Sequence, residues 1–281
     1  MKTALSIGHG FSASYIERFL LPLGWKVFAT TRTPEKAETL RSRGLAPVIW
    51  PDADLTPYIA QATHILTSVS PDAGGDPVLR VAKDALEKAT HLEWVGYLST
   101  TGVYGDHQGA WVDETTPTNP TTQRGKYREQ AERDWLALDL PVHVFRLAGI
   151  YGPGRGPFAK VRNGTARRII KPGQIFSRIH AEDIAQTVLA SIKKPRPGAI
   201  YNVNDDDPAP PEDVLAYAAE LLGVPLPPAI DFETADMTPM ARSFYAECKR
   251  TKNDLIKSEL GVELKYPDYK SGLRAILASE R

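Results

Sequence analysis

The stretch LSIGHGFSA, residues 5–13, decides the fold of this chain. A short apolar run leads into Gly8 and Gly10, and the small residue Ala13 follows, which gives the spacing G-x-G-x-x-G/A. In this spacing the first glycine permits a tight turn and the second lets a ligand approach the main chain. The small third residue lets the following helix pack close to the strand. Because the free N–H groups at a helix N-terminus attract anions, the stretch predicts a strand, a phosphate-binding turn and a helix.

Working outward from this turn, short apolar runs alternate with segments of helical periodicity up to about residue 150. Such alternation predicts a parallel sheet covered by helices on both faces. With a phosphate turn after the first strand, the predicted fold class is α/β, a Rossmann doubly wound parallel sheet. Strands are predicted at residues 5–7, 26–31, 47–50, 64–69, 92–98 and 142–147, and helices after the glycine turn, from Thr33–Pro34, from Asp76–Pro77 and at 124–138.

The rhythm changes beyond Gly149, where residues 152–157 form a loop of glycines and prolines. A helix at 181–192 and a strand at 200–203 return to the earlier pattern, and helices then follow to the end. We therefore predict a dinucleotide-binding domain from residues 1–150 plus about 181–204. A smaller C-terminal substrate lobe is predicted from about 151–180 and 205–281.

Composition limits the partners of the chain. Its 281 residues carry 34 basic and 34 acidic side chains, so no general attraction to nucleic acid is expected. Neither a cleavable leader nor the roughly 20 apolar residues of a membrane span is visible, so no membrane partner is expected. The single Cys248 excludes an internal disulfide. The expected location is cytoplasmic.

The residues after the second strand bear on the choice of nicotinamide cofactor. A carboxylate there would bind the ribose hydroxyls of NAD, but the chain has Thr31, Arg32 and Thr33, with no acid before Glu35. Arg32 can pair with a 2′-phosphate, and the two threonine hydroxyls can add to that contact. Alternatively, Arg32 is a solvated loop charge. NADP(H) is favoured over NAD(H), which stays open.

Further motifs point to a family. Residues 98–105 read LSTTGVYG, residues 146–154 read RLAGIYGPG, and residues 178–185 read RIHAEDIA, while Tyr127 lies in the predicted long helix. In this order the motifs resemble the extended short-chain dehydrogenase/reductase superfamily, in its NAD(P)-dependent epimerase/dehydratase branch and most closely its atypical members. The likeness covers about residues 3–205. Because long helices commonly pair in relatives, a homodimer is compatible with the resemblance.

The resemblance implies two catalytic side chains. Thr100 matches the residue that hydrogen-bonds the reacting oxygen, and Tyr127 matches the proton donor or acceptor. The family lysine four residues after the tyrosine is Ala131 here. Since a free phenol has a pKa of about 10, it is a poor base without a neighbouring cation, although it can still donate a proton. The alternatives are that Tyr127 only packs at the helix start and that Thr100 only satisfies backbone groups.

A regular helix would place Arg124, three residues before Tyr127, on the tyrosine's side, where it could partly replace the lysine. Lys126 and Arg128 are expected to point elsewhere. The turn and the strand ends supply the remaining predicted cofactor contacts, namely Gly8, His9, Gly10, Phe11, Ser12, Ser68, Val69, Ser99 and Tyr151.

The segment from Gly154 to Arg178 carries seven basic residues and no acid. In the family this segment borders the substrate cleft, so it would suit a carboxylate or phosphate. The alternatives are a solvated surface helix and, for His180, support of a loop. No spacing of histidines indicates a metal site. The predicted substrate contacts are Thr101, Arg124, Arg155, Arg168, Arg178 and His180.

Three functions are consistent with these features. The leading hypothesis is an NADP(H)-dependent oxidoreductase that acts on a small, anionic or sugar-like carbonyl or alcohol. The second is an NAD(P)-dependent sugar or nucleotide-sugar epimerase or dehydratase. The third is a catalytically silent NADP(H)-binding sensor or partner protein, which the absence of the family lysine favours.

Overall fold

The computed structural model describes residues 2–280, and a sheet of seven parallel strands forms its centre. Single turns of 3₁₀ helix lie at Leu21–Leu23 and Thr101–Tyr104. In chain order the other elements are β1 (Thr3–Ile7), α1 (Phe11–Leu20), β2 (Lys26–Thr31), α2 (Pro34–Ser42), β3 (Ala46–Ile49), α3 (Thr56–Ile59), β4 (His64–Thr67), α4 (Pro77–Glu87), β5 (Trp94–Thr100), β6 (Trp111–Val112), α5 (Gln123–Leu136), β7 (Val142–Leu147), β8 (Gly149–Tyr151), α6 (Phe158–Arg162), β9 (Arg168–Ile170), β10 (Arg178–His180), α7 (Ala181–Lys193), β11 (Ile200–Val203), α8 (Pro211–Leu222), β12 (Ala229–Asp231), α9 (Pro239–Phe244), β13 (Arg250–Thr251), α10 (Asp254–Ser258) and α11 (Tyr269–Ser279).

The strand order of the central sheet is β11-β7-β5-β4-β1-β2-β3, and every neighbouring pair is parallel. The chain reverses its direction of travel across the sheet between β1 and β4. In open α/β sheets a crevice forms at that reversal, outside the carboxyl ends of the strands. The predicted α/β Rossmann fold is confirmed, and the first glycine turn lies at this crevice.

Each face of the sheet buries its own apolar core. One core contains side chains of α1 and α7, such as Ile16 and Val188, and the other contains side chains of α4 and α5, such as Leu86 and Trp135. Ala131 of α5 belongs to the second core and is 1% exposed. Burial on both faces explains why the central strands read as continuous apolar runs.

Long elements match their predicted bounds closely. The strands β2, β7 and β11 have the predicted ends, and Thr33 caps α2 with Pro34 as its first residue, as predicted. The strand β5 runs from Trp94 to Thr100 rather than over 92–98, so Thr100 ends the strand. Within residues 2–280 no helix is long and apolar enough to cross a membrane.

The C-terminal part of the chain has a core of its own, formed by residues of 151–166 and 209–277 such as Phe158, Ala218 and Leu273. Three small parallel sheets accompany it, pairing β8 with β10, β9 with β12 and β6 with β13. The sequence did not predict these pairings, because strands of two or three residues are too short to show an alternating pattern.

Candidate functional site

The glycine turn between β1 and α1 is tied to both neighbouring strands. The Gly8 N–H donates to Thr30 Oγ1 at 2.7 Å, and the Ser68 hydroxyl donates to Gly8 O at 2.5 Å. Gly8 has φ +75°, and a Cβ on it would lie 2.9 Å from Val69 Cγ2. Only glycine fits this position without strain, so Ser68 and Val69, both predicted cofactor contacts, shape the turn itself.

Gly10 differs from Gly8 because the space beside it is open. Within residues 2–280, and apart from its neighbours His9 and Phe11, the nearest atom to a Cβ on Gly10 would be Gly8 O, at 3.6 Å. The φ of −111° at Gly10 suits any residue. The first helical hydrogen bond of α1 runs from Ser14 N to Gly10 O at 3.0 Å, so the N–H groups of Phe11, Ser12 and Ala13 precede the helical ladder. An open face with N–H groups that make no helical hydrogen bond, at a helix N-terminus, fits a pyrophosphate.

The His9 ring points away from this open face, into the protein. It is 3% exposed; Nδ1 lies 2.9 Å from Ser6 Oγ, and Nε2 lies 2.6 Å from Glu17 Oε2. Burial acts to raise the pKa of Glu17, but hydrogen bonds from His9 and Arg43 outweigh it and lower that pKa. His9 was a predicted cofactor contact. Because its buried ring bonds to Ser6 and Glu17, it can meet a ligand only through its main chain.

Two cations, Arg32 and Lys36, follow β2, the second of them in the first turn of α2. Arg32 is exposed, and within the described part of the chain its guanidinium makes no hydrogen bond, while the Thr31 hydroxyl is buried without a partner. Thr33 accepts from Lys36 N at 3.3 Å, and Lys36 Nζ donates to His9 O at 3.0 Å. The sequence analysis missed Lys36, although its place one turn into the predicted helix α2 put it near this end of the strand.

Arg128 on α5 reaches the carboxyl ends of β4 and β5. Its Nη1 donates to Val69 O at 3.2 Å, Tyr97 Oη at 3.1 Å and Leu98 O at 2.9 Å, and Nη2 donates to Ser70 Oγ at 3.2 Å. Arg128 was expected to point away from the side of Tyr127, and the structure places it on the buried face of α5, where it is 6% exposed. The apolar residues Ala131 and Trp135, three and seven positions after Arg128, were the sequence signal that could have placed it on this face.

The same helix rotation decides what surrounds Tyr127. Successive helical residues are about 100° apart, so Tyr127 lies at the margin of the face that carries Arg128. Its ring is half-buried, and among residues 2–280 its hydroxyl has no hydrogen-bond partner. Position 131, where the family lysine was sought, holds an alanine that packs in the apolar core.

Thr100 lies at the carboxyl end of β5 and caps the following 3₁₀ turn, which Thr101 opens. Its Oγ1 accepts from Gly102 N at 3.1 Å, which leaves the hydroxyl proton of Thr100 free. Helix α5 packs on this turn so closely that a Cβ on Gly125 would lie 3.0 Å from Gly102 O. No hydrogen bond joins Thr100 to Tyr127 among the residues described, and their catalytic roles remain predictions.

A buried polar group lies beneath the crevice. The Ser99 hydroxyl donates to Glu132 Oε1, and Arg146 Nη2 donates to Glu132 Oε2 at 2.8 Å. Both charged side chains are 5% exposed or less. Burial acts to lower the pKa of Arg146, but the hydrogen bonds and charge of Glu132 outweigh it and raise that pKa. Ser99 was a predicted cofactor contact, but its hydroxyl hydrogen-bonds Glu132 and so links β5 to α5.

The predicted substrate arginines divide into two sets. In the C-terminal part, Arg168 Nε donates to Pro227 O at 2.9 Å, and Arg178 Nη1 donates to Phe176 O at 2.8 Å and Ala209 O at 2.9 Å. These guanidinium groups hold loops in place. Arg124 and Arg155 donate no side-chain hydrogen bond within residues 2–280. The Arg155 guanidinium lies 5.4 Å from the Phe11 ring centre, and Arg124 lies one turn before Arg128 on α5.

His180 and Tyr151 pack between elements and do not line the open turn. His180 Nδ1 accepts from Glu182 N at 3.2 Å and caps α7, and its ring lies 4.0 Å from the Tyr266 ring, centre to centre. The Tyr151 hydroxyl donates to Asp268 O at 3.3 Å. The geometry of His180 thus matches the alternative of loop support. Within the described chain no cluster of three or more His, Cys, Asp or Glu side chains is arranged to hold a metal.

Burial lowers the pKa of His180 to about 4 from its usual 6.5. The folded protein therefore keeps this ring neutral where the unfolded chain binds a proton, so stability falls as the pH drops from 6.5 towards 4. The His180→Asn variant keeps an acceptor for the α7 cap but has no titrating ring. From pH 7 to pH 5, its free energy of unfolding should drop by about 2 kcal/mol less than that of the wild type. Urea unfolding at both pH values measures this difference, and equal losses would contradict it. Asp183, whose pKa burial raises to about 6, acts oppositely but in both proteins alike.

No family model matches the chain. Among curated proteins, YeeZ of Escherichia coli is 29% identical over 95% of this chain and 97% of its own length. A 3-diazoavenalumate denitrifying reductase of a Streptomyces species is 27% identical over 58% of this chain and 55% of its own. Human dTDP-D-glucose 4,6-dehydratase is 29% identical over 38% of this chain and 34% of its own.

Solved structures extend the comparison over the whole chain. A conserved protein of unknown function from Silicibacter pomeroyi is 59% identical, with 99% of each chain covered and a TM-score of 0.96. A protein provisionally described as an NAD-dependent epimerase/dehydratase from Methylobacillus flagellatus is 27% identical, with 100% and 98% of the two chains covered and a TM-score of 0.72.

The dTDP-glucose 4,6-dehydratase of Bacillus anthracis, solved in complex with NAD, is 17% identical, with 99% and 96% of the two chains covered and a TM-score of 0.78. At that identity the likeness concerns the fold alone. Together these neighbours agree with the motifs quoted from the sequence. The structural neighbours of this chain are NAD-dependent epimerase/dehydratases and dTDP-glucose 4,6-dehydratases, members of the extended short-chain dehydrogenase/reductase superfamily, and the resemblance inferred from its motifs is confirmed.

Proposed function

We propose that this chain is an NADP(H)-dependent oxidoreductase that acts on a small carbonyl or alcohol compound. The observation that carries the proposal is the turn at Gly8 and Gly10. Its open face and the free N–H groups at the start of α1 fit a pyrophosphate. NADP(H) is supported over NAD(H) by Arg32 just after β2, where NAD-binding relatives of this fold place a carboxylate, and by Lys36 in the first turn of α2. Similarity to a reductase and to an epimerase/dehydratase supports nicotinamide-dependent chemistry.

The chain's own residues provide the rest of the proposed reaction. A bound nicotinamide nucleotide would supply or accept the hydride. Arg128 holds a permanent positive charge at the carboxyl ends of β4 and β5. Thr100 keeps a free hydroxyl proton with which to orient a carbonyl oxygen, and Tyr127 is the predicted proton donor. Reduction needs only a neutral phenol, so the absence of a lysine at position 131 does not prevent it.

The role of Tyr127 predicts a selective loss in the Tyr127→Phe variant. Turnover of a reducible carbonyl compound with NADPH should fall by about a hundredfold, the usual scale of acid–base catalysis, while NADPH binding is unchanged. Steady-state kinetics and fluorescence titration measure the two quantities. As a matched control, Tyr58→Phe removes a hydroxyl from α3 and should alter neither. Equal turnover of wild type and Tyr127→Phe would remove the phenol from the mechanism.

The cofactor preference has a separate test in the Arg32→Ala variant. If Arg32 meets a 2′-phosphate through charge-assisted hydrogen bonds, NADPH binding weakens by about 1–3 kcal/mol and NADH binding does not change. Arg41→Ala, which removes an exposed arginine at the far end of α2, is the control. Parallel weakening of both nucleotides in Arg32→Ala would refute the assignment.

Two other functions have particular observations in their favour. A sugar or nucleotide-sugar epimerase or dehydratase is favoured by the Methylobacillus flagellatus neighbour, and it predicts nucleotide retained through purification with no net consumption of NADPH. A silent NADP(H)-binding protein is favoured by Ala131, and it predicts nucleotide binding without turnover of any carbonyl compound.

A further inference from the structure

Three arginines near the crevice have no carboxylate partner. Arg124 and Arg128 lie on α5, and Arg155 lies in the loop after β8. None of them belongs to an ion pair within residues 2–280. Arg128 is 6% exposed, and its hydrogen bonds go only to neutral oxygens. A buried cation without a counter-ion is unusual, because desolvation costs several kcal/mol.

The fold brings these charges to the mouth of the glycine turn from two sides. Arg124 and Arg128 are four residues apart, so they share one face of α5. Arg128 donates to the carbonyl of Val69, and a Cβ on Gly8 would lie 3.1 Å from the Val69 nitrogen. From the other side, the Arg155 guanidinium lies 5.4 Å from the centre of the Phe11 ring, at the start of α1.

The pKa of Arg124 indicates that no negative charge neutralises the three arginines. Arg124 reaches solvent, but its pKa is lowered. Partial desolvation is the larger cause, and the positive charges of Arg128 and Arg155 add to it. Among the described residues, the guanidinium groups of Arg124 and Arg155 make no hydrogen bond, so their paired N–H donors remain available. Such donors bind a carboxylate or phosphate in a bidentate manner, and an anion would offset the mutual repulsion of the three cations.

We propose that Arg124 and Arg155 bind an oxyanion group of the substrate, a carboxylate or a phosphate, beside the nucleotide and within the positive field of Arg128. This inference rests on the proposed function and narrows its substrate to anionic carbonyl or alcohol compounds, excluding neutral sugars. Arg124 thereby becomes a binding residue on the helix face one turn before Arg128, whereas Arg168 and Arg178 keep a structural role.

Calorimetric titration of the NADPH-saturated protein tests the proposal. Inorganic phosphate, oxalate and glucose are added separately, so that the stronger of the two oxyanions identifies the substituent. We expect an oxyanion to bind and glucose not to bind, and Arg124→Gln to weaken oxyanion binding on the order of tenfold or more. Lys126→Gln, which removes an exposed cation from the same helix, should leave that affinity unchanged. Without anions, Arg124→Gln should not lower the melting temperature, because it relieves like-charge repulsion.

Several outcomes would overturn the proposal. These are the absence of oxyanion binding to the NADPH complex, binding of glucose alone, or equal weakening by Arg124→Gln and Lys126→Gln. Displacement of NADPH by phosphate would assign the arginines to the pyrophosphate site instead and leave the proposed function intact. If NADPH itself fails to bind, the proposed function is lost, and phosphate titration of the free protein with the same two variants still decides whether the arginines bind an oxyanion.

Discussion

The Gly10→Val variant should fold normally and lose nucleotide binding. Apart from the adjacent residues, no atom of residues 2–280 lies closer than 3.6 Å to a Cβ at position 10, and the φ of −111° is compatible with valine, so the apoprotein is not strained. The added methyl groups would occupy the open face where the N–H groups of α1 point. Because the pyrophosphate could no longer approach the main chain, NADPH affinity should fall about a thousandfold, or roughly 4 kcal/mol.

Gly8→Ala is the matched comparison, since it places a smaller side chain on the other glycine of the same turn. With φ +75° and a Cβ 2.9 Å from Val69 Cγ2, this variant should lose stability, by about 1–2 kcal/mol from the left-handed backbone alone. Fluorescence titration with NADPH and thermal unfolding separate the two effects. If Gly10→Val binds NADPH like the wild type, the glycine turn does not hold a pyrophosphate and the proposed function fails.

The second large effect concerns stability, through the buried pair of Glu132 and Arg146. Glu132→Ala leaves Arg146 charged and without its carboxylate at 5% exposure. Removing one partner of a buried pair typically costs about 3–5 kcal/mol, because the remaining charge stays desolvated. Ser99 also loses its acceptor. Urea unfolding should therefore show a much lower midpoint for this variant.

Two further variants make that result specific. Glu38→Ala removes the carboxylate of the exposed pair with Arg41 and should change stability little, since solvent screens such pairs. The double variant Glu132→Leu/Arg146→Met removes both charges together and should recover much of the lost stability. A Glu132→Ala protein as stable as Glu38→Ala would show that the pair is already solvated.

Local sequence signals predicted the glycine turn, the strands β2, β7 and β11, and the Thr33–Pro34 start of α2, because each depends on the conformational preferences of neighbouring residues. Gly8 needs its positive φ whatever surrounds it, and threonine caps a helix through an amide three residues ahead. The prediction of the fold class rested on these features, since their order along the chain indicates a parallel α/β sheet.

The rotation of each helix against the sheet is decided only by tertiary packing, and the functional side chains depend on it. That rotation buries the ring of His9, directs Arg128 to the ends of β4 and β5, and places Ala131 in the apolar core. Arg124, Arg128 and Arg155 come from segments about thirty positions apart, and no local pattern relates them. The sequence by itself determined the strands, the turn and the order of the helices. Only the tertiary structure decided which side chains face the crevice, because burying one helix face against the core sets the direction of all the others.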